Sequence, residues 1–432
     1  MSSSSSSISS PLPHVTLICS VCGEKSSLRC SKCLGALYCT VECQKKDWKV
    51  HKVICKKAQK VKKSLEEAGY RSVEEIDAKL EKDRRFAELG DAIGQYNLGL
   101  SYYSGLGVGV DKVESVKWYR LAAEQGDAQA QFNLGVVYDK GEGVSVDNVE
   151  AIKWYRLAAN QGIAQAQFNL GNAYLTGEGV SVDKVEALKW YRLAAEQGFA
   201  QAQFNLGNAY YHGEHFNGEG VSVDKVESVK WYRLAANQGI AGAQFNLGCA
   251  YSNGEGVSVD KVEAIKWYRL AANQGHVKAQ YNLGNAYFNG KGVSVDKVKS
   301  VKWYRLAAEQ GHAGAQYNLG NSYFDGEGVS VDKVEGIKWY RLAAEQGDAE
   351  AQFNLGCVYS NGDGVSVDKV EAIKWCRLAA NQGYAMAQYN LGCTYDNGLG
   401  VSVDKVEGLK WLKLAAEKGF PLAIKYMESL QK

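Results

Sequence analysis

The residues best suited to chemistry crowd near the N-terminus: Cys19, Cys22, Cys30, Cys33, Cys39, Cys43, His51 and Cys55. They fall into four close pairs, with gaps of two residues in the first two pairs and three in the last two. Thiolates and imidazole are preferred zinc donors, and eight of them complete two tetrahedral ions with no position left open for substrate. Both ions are therefore expected to be structural. A two-residue gap lets both thiolates turn toward one ion, whereas a three-residue gap suits successive turns of a short helix. Spacing alone leaves open which pairs share an ion. Seven of the eleven cysteines lie in this stretch, and a segment of 37 residues is too small to fold without a staple.

Chemistry elsewhere is sparse. The sequence shows no Ser-His-Asp arrangement, no phosphate loop and no paired catalytic carboxylates, so no enzyme is expected. His212 and His215 have no third ligand nearby. His276 and His312 read as surface residues, and Cys376 as a small buried one. With 50 Lys and Arg against 48 Asp and Glu, no protein-wide basic field exists to drive nucleic-acid or membrane binding. The one local exception is the stretch from Lys45 to Lys63, where nine lysines accompany a single acid, Asp47. It reads as a solvated helical linker, or alternatively as a nuclear-localisation or nucleic-acid contact in a nuclear regulator.

The elements that carry these residues follow from the tryptophans. From Trp118 onward every step to the next tryptophan is 36 residues except one of 41. Nine tandem units result, over 91–419, and the long one carries an insertion at 212–220 that reads as a lengthened loop. Three prolines in 432 residues leave the chain free to be helical, and its 47 glycines are punctuation. Each unit reads as two helices. In helix A of the second unit, Ala130, Leu134 and Tyr138 share one face, and Gly135 admits a neighbouring backbone. A Gly-x-Gly segment breaks the chain. Asp147 then caps helix B (148–161), with Glu150 placed to return the bond in a capping box. Asp-x-x-Glu recurs in eight units, Asp296 with Lys299 being the exception. Helix B is apolar on most of its circumference, which predicts cover on more than one side. Gly162 and its equivalents end it. No single hairpin can bury its apolar face, so the units must stack into a mostly α fold, an α-solenoid.

The pattern Ala-Gln-Phe-Asn-Leu-Gly-x-x-Tyr, Gly-x-Gly-Val, Trp-Tyr-Arg-Leu-Ala-Ala-x-Gln-Gly resembles the Sel1-like repeat family, a relative of the tetratricopeptide repeats. The N-terminal ligands, with Tyr38-Cys39, Cys43-Gln44, Asp47-Trp48 and His51-Lys52, resemble the MYND-type zinc finger. That resemblance implies interleaved sites, with Cys19, Cys22, Cys39 and Cys43 on one ion and Cys30, Cys33, His51 and Cys55 on the other. It also implies peptide binding, with a preference for proline-rich segments, at Gln44 and Trp48; Trp48 serves equally well as the finger's core. Some such fingers sit inside lysine methyltransferases, but repeats occupy the rest of this chain. The domain plan is a Ser-rich disordered leader (1–14), the finger (19–55), a basic linker with N-terminal capping helices (56–90), nine repeats (91–419) and a C-terminal capping helix (420–432). The expected function is a zinc-binding adaptor or scaffold with protein or peptide partners. No membrane or nucleic-acid partner is expected, and the expected location is cytoplasmic or nuclear, not secreted.

One feature of helix A has two readings. Asn97, Asn133, Asn169, Asn205, Asn246, Asn282, Asn318, Asn354 and Asn390 occupy the same position in all nine units, although mid-helix Asn costs helix propensity. Either the amides fix the stacking of repeats, or they form a ladder for the backbone of an extended peptide. Neighbours on the stripe vary and are the better recognition candidates.

Overall fold

The computed structural model describes residues 28–29, 37–38, 73–213, 215–216 and 219–429. Two short strands, β1 (Leu28–Arg29) and β2 (Leu37–Tyr38), pair antiparallel. Helix α1 (Val73–Glu88) precedes nine helical pairs among the described residues. These are α2 (Ala92–Ser104) and α3 (Lys112–Glu124), α4 (Ala128–Lys140) and α5 (Asn148–Asn160), and α6 (Ala164–Thr176) and α7 (Lys184–Glu196). In the fourth pair, α8 (Ala200–His212) is followed by strands β3 (His215–Phe216) and β4 (Glu219–Gly220) before α9 (Lys225–Asn237). The later pairs are α10 (Ala241–Asn253) with α11 (Lys261–Asn273), α12 (Val277–Asn289) with α13 (Lys297–Glu309), and α14 (Ala313–Asp325) with α15 (Lys333–Glu345). Finally come α16 (Ala349–Asn361) with α17 (Lys369–Asn381), α18 (Ala385–Asn397) with α19 (Lys405–Glu417), and α20 (Pro421–Ser429). Even-numbered helices α2–α18 are helix A of repeats 1–9, and odd-numbered α3–α19 are helix B.

The described residues fall into two compact units, one within Met1–Ala202 and Glu214–Gly220, the other within Gln203–Gly213 and Val221–Lys432. The repeats of each stack as an α-solenoid in which helix A packs on its own helix B and helix B packs on the next helix A. The insertion in repeat 4, expected as a plain loop, closes as an antiparallel hairpin of β3 and β4.

Local chemistry explains the helix limits. Asp147 accepts from the Glu150 amide at 2.9 Å and caps helix B. The reciprocal arm of a capping box is absent, because the Asp147 amide already donates to the Tyr138 carbonyl at 3.0 Å. The Glu150 carboxylate turns forward instead, to Lys153 at 2.7 Å and the Trp154 indole at 3.0 Å. Gly162 ends helix B with φ of 90°, a left-handed geometry that a side chain resists.

The core of each repeat is small and dense. Ala130 and Leu134 are buried against Tyr119, Ala122 and Ala123 of the preceding helix B, and Tyr155, Ala158 and Ala159 are buried against Ala166 and Leu170 of the next helix A. Truncating a leucine of this row to alanine should cost about 2–5 kcal/mol. Gly135 makes room for a ring as well as for neighbouring backbone: a Cβ there would stand 2.6 Å from Tyr155 Cδ1 and 3.2 Å from the Ala151 carbonyl oxygen. Helix B is less covered than its composition predicts. Val149 and Leu157 are exposed, as are their equivalents in the other repeats except Val185 and Leu414, which are half-buried, because neighbouring helices cover only the face carrying Tyr155 and the alanines.

Candidate functional site

The metal-ligand candidates Cys19, Cys22, Cys30, Cys33, Cys39, Cys43, His51 and Cys55 lie outside the described residues, as do Gln44, Trp48 and the lysine run 45–63. In the chain, β1 ends immediately before Cys30 and β2 immediately before Cys39. The donor set itself, seven thiols and an imidazole, suits zinc. Among the described residues no cluster of three or more His, Cys, Asp or Glu is placed to hold a metal ion, and no helix is long and apolar enough to cross a membrane.

Helix A of each repeat has two polar edges. The first is a buried ladder of glutamines that sequence reading overlooked. Gln280 donates from Nε2 to the Ala272 carbonyl at 3.1 Å, and its Oε1 accepts from Gln310 at 2.8 Å. Gln131 joins Ala123 and Gln161 in the same way, and Gln316 joins Ala308 and Gln346. Each glutamine thus ties helix A to the helix B before it and the helix B after it. The signal was present: Gln stands two residues before the fixed Asn in every unit. At the C-terminal end the ladder stops. Gln388 reaches the Ala380 carbonyl at 3.1 Å, but Lys418 stands where earlier repeats have Gln, and Gln388 Oε1 is buried without a partner.

The second edge is the asparagine stripe. Asn246, Asn318 and Asn354 donate to Asn208, Asn285 and Asn321 of the preceding repeat at 3.1, 3.3 and 3.5 Å. Those acceptors also receive the hydroxyls of Tyr232, Tyr304 and Tyr340 at 2.8, 2.6 and 2.5 Å. Burial pushes the phenols of Tyr232 and Tyr304 up to about 12, so they stay protonated donors. At the N-terminal end Asn97 donates to Asp83 of α1 at 3.1 Å, which puts α1 in the role of a preceding helix A. These fixed amides bridge repeats, the stacking role, and they remain half-buried rather than sealed.

Clefts open beside this stripe where one contact fails. In intact repeats the first lysine of helix B pairs with an acid in the next repeat's loop: Lys112 with Glu142 at 3.2 Å, Lys297 with Glu327 at 3.2 Å and Lys333 with Asp363 at 2.6 Å. Aromatic rings on helix A lie beneath two of these lysines, Tyr103 under Lys112 and Phe288 under Lys297. Where that ring is replaced by Asp139, Ser252 or Ser360, the space stays empty. A cleft of about 120 Å³ between repeats 2 and 3 is lined by Asp139, Asn148, Asn169 and Glu178. One of about 340 Å³ between repeats 5 and 6 has Ser252, Lys261, Asn282, Asn285 and Lys291. A third, about 350 Å³ between repeats 8 and 9, has Cys357, Ser360, Lys369, Cys376 and Cys393. The loop pairs become Asn148 with Glu178, Lys261 with Lys291 and Lys369 with Leu399. Lys261 and Lys369 turn back to Ser252 and Ser360, reaching each hydroxyl at 3.1 Å. One framework therefore presents an acidic, a basic and a thiol-lined cleft.

The thiols in the third cleft are not activated. Burial pushes Cys376 up to about 12 and raises Cys357 and Cys393, so they remain protonated at neutral pH and lack the nucleophilic thiolate. Cys376 is half-buried rather than sealed, filling the place of the tyrosine ring beside Gly356. His276 and His312 are not simple surface residues. Each caps helix A, its Nδ1 accepting from Ala279 at 3.3 Å or Ala315 at 3.2 Å, and stacks on Phe245 or Tyr281.

A two-helix repeat with invariant internal ladders defines the class as an α-solenoid repeat protein. A model of the Sel1 repeat matches nine consecutive segments from 92–127 to 385–420, and the chain belongs to the Sel1-repeat family. A model of the MYND finger matches residues 19–55, so the chain carries that zinc-binding finger type as well. A protective antigen of uropathogenic Escherichia coli with an SLR fold is 36% identical over 80% of this chain and 80% of its own, with a TM-score of 0.67. A Sel1 repeat protein from Oxalobacter formigenes is 35% identical over 71% of this chain and 87% of its own, with a TM-score of 0.54. Curated relatives match over short stretches. Tudor domain-containing protein 1 of Mus musculus is 41% identical over 61 residues, 14% of this chain and 5% of the relative. Egl nine homolog 1 of Homo sapiens is 43% identical over 47 residues, 11% of each. The chain thus spans a small fraction of the curated relatives it matches.

Proposed function

We propose that the protein is a non-enzymatic adaptor in which the finger and the repeats each hold a protein partner. The observation that carries this reading is a contrast around helix A: the Gln and Asn donors that join repeats are fixed, while the lining of the clefts beside them, drawn from helix A, helix B and the loop, changes from acidic to basic to thiol. A scaffold of constant geometry with variable linings is suited to recognising different side chains along a bound segment.

In this reading the finger holds two structural zinc ions, one on Cys19, Cys22, Cys39 and Cys43, the other on Cys30, Cys33, His51 and Cys55. Gln44 and Trp48 form its contact face for short, proline-rich peptides. The leader 1–14, the basic linker within 56–90 and the segment 420–432 are extensions of the two binding modules. A reducing compartment, cytoplasm or nucleus, suits the clustered thiols. The test is metal content and partner capture by the full-length protein. About two zinc ions per chain are expected, with chelation releasing finger-bound peptides while the helical signal persists. Cys30→Ser should release metal and finger-dependent partners yet keep those held by the repeats. One ion or none in the purified protein would contradict the eight-ligand assignment.

A further inference from the structure

Repeat 6 departs from the others in charge. Residues 277–312 hold six Lys and Arg but two Asp and Glu, whereas each of the other eight repeats has at least as many acids as bases. The decisive exchange is on helix B. In repeat 5, Glu263 binds Lys266 at 2.6 Å, and in repeat 7, Glu335 binds Lys338 at 2.8 Å and the Trp339 indole at 3.1 Å. Repeat 6 has Lys299 at this position. Lys299 swings back to Asp296 at 2.8 Å, Lys302 loses its carboxylate, and no carboxylate stands beside Trp303 to take the indole bond made in repeat 7, a bond that Trp267 of repeat 5 also lacks.

We propose that the resulting cleft, where Arg269, Lys299 and Lys302 surround Trp303, Tyr287 and Leu306, binds an acidic peptide segment of a partner protein. The cleft encloses about 670 Å³. Arg269 is held by the Tyr287 hydroxyl at 2.9 Å, and Leu306 is exposed. Three cations thus meet one carboxylate, Asp296, over an apolar and aromatic floor. The same constellation in repeat 7, Arg305, Lys338, Glu335 and Asp332, is neutral. A carboxylate side chain satisfies Lys302 and the indole N–H together, and an adjoining apolar residue covers the floor.

Nucleic acid fits less well. It is held by a track of cations along its phosphates, and the excess of bases over acids is confined to one repeat. Repeats 5 and 7 on either side carry three bases against three acids and three against six. An island one repeat wide, about 10 Å, matches about three residues of extended peptide.

The inference rests on the adaptor reading for the repeats, and the test separates the two. Full-length protein is titrated with a fluorescent peptide of glutamates interspersed with leucines, and separately with labelled oligouridylate. The peptide should bind at low ionic strength and weaken steeply with salt. Lys299→Glu installs the residue that eight repeats already have, so the fold is kept. It should weaken peptide binding roughly ten-fold, with a smaller loss in Lys302→Gln and none in Lys266→Gln, whose lysine is paired within repeat 5. Wild-type protein that ignores the peptide, or Lys299→Glu that binds it unchanged, overturns the proposal. Tighter, Lys299-dependent binding of oligouridylate also overturns it, in favour of nucleic acid. Partner capture by the repeats that survives Lys299→Glu would remove this site but leave the adaptor reading standing.

Discussion

Gln280 and Lys299 belong to the same repeat and serve opposite ends. Gln280 lies on a buried edge where every repeat has the same residue, and its amide is used at both ends, by the Ala272 carbonyl and by Gln310. Lys299 lies on an open face, replaces a glutamate, and leaves cations in excess of carboxylates. The difference teaches how a repeat array divides its labour. A position that must match both neighbours is held constant by geometry, since an unmatched buried amide costs more than a made one gains. A position that faces solvent is free to acquire charge, and charge placed there is available to a partner.

The sharpest way to break this division is at the ladder. Gln280→Ala removes two hydrogen bonds of a buried amide, leaving Gln310 its bond to the Leu306 carbonyl and the Ala272 carbonyl its bond from Gly275, and should cost about 2 kcal/mol, read as a lower midpoint in urea. The asparagine stripe should respond less, because its bonds are longer and half-exposed: Asn246→Ala and Asn318→Ala should each cost about 1 kcal/mol without any ligand. Mutants of the stripe that melt like the wild type and lose a partner would transfer the asparagines from stacking to recognition.

At the C-terminal end the comparison runs in reverse. Lys418→Gln supplies the missing donor to Gln388 Oε1 and should stabilise the protein by up to about 1 kcal/mol. No gain would mean that this end of the ladder relaxes at no cost.

The smallest expected effect is a pH dependence. Burial first, and the charge of Lys278 next, lower the pKa of His276, and burial lowers that of His312. The neutral ring is therefore favoured by folding, where its Nδ1 caps helix A. The sign follows: this stability is present above the unfolded histidine pKa of about 6.5 and is lost as pH falls from there through the lower folded value. His276→Asn retains a capping oxygen without a titrating group, so its melting temperature should fall less than that of the wild type between pH 7 and pH 5, approximately the range in which histidine titrates. Parallel curves would show that the cap tolerates protonation.

Much of this was legible in the sequence. The tryptophan period and the closing glycines mark the repeats because each repeat must present the same surface to its neighbours. The stripe Ala130, Leu134 and Tyr138 marks helix A because burial on one face imposes helical spacing. What escaped depends on partners distant in the chain. Gln280 looks like an ordinary polar helix residue until Ala272 and Gln310 surround it, and the Glu150 side chain chooses Trp154 over the cap because Tyr138 has taken the Asp147 amide. The clefts had a readable sign, the residue after the helix A tyrosine changing from Tyr103 or Phe288 to Ser252. It becomes meaningful only once Lys112 and Lys297 are seen lying on those rings.

The most direct test sets the two residues of repeat 6 side by side in the full-length protein, measuring unfolding in urea and binding of the glutamate-leucine peptide for Gln280→Ala and Lys299→Glu. The expected result is a crossed pattern. Gln280→Ala loses stability but binds the peptide like the wild type under conditions where it is folded, while Lys299→Glu keeps full stability and binds roughly ten-fold more weakly. A Lys299→Glu protein that unfolds early, or a folded Gln280→Ala protein that loses the peptide, would contradict the division between positions that hold the repeats together and positions that recognise a partner.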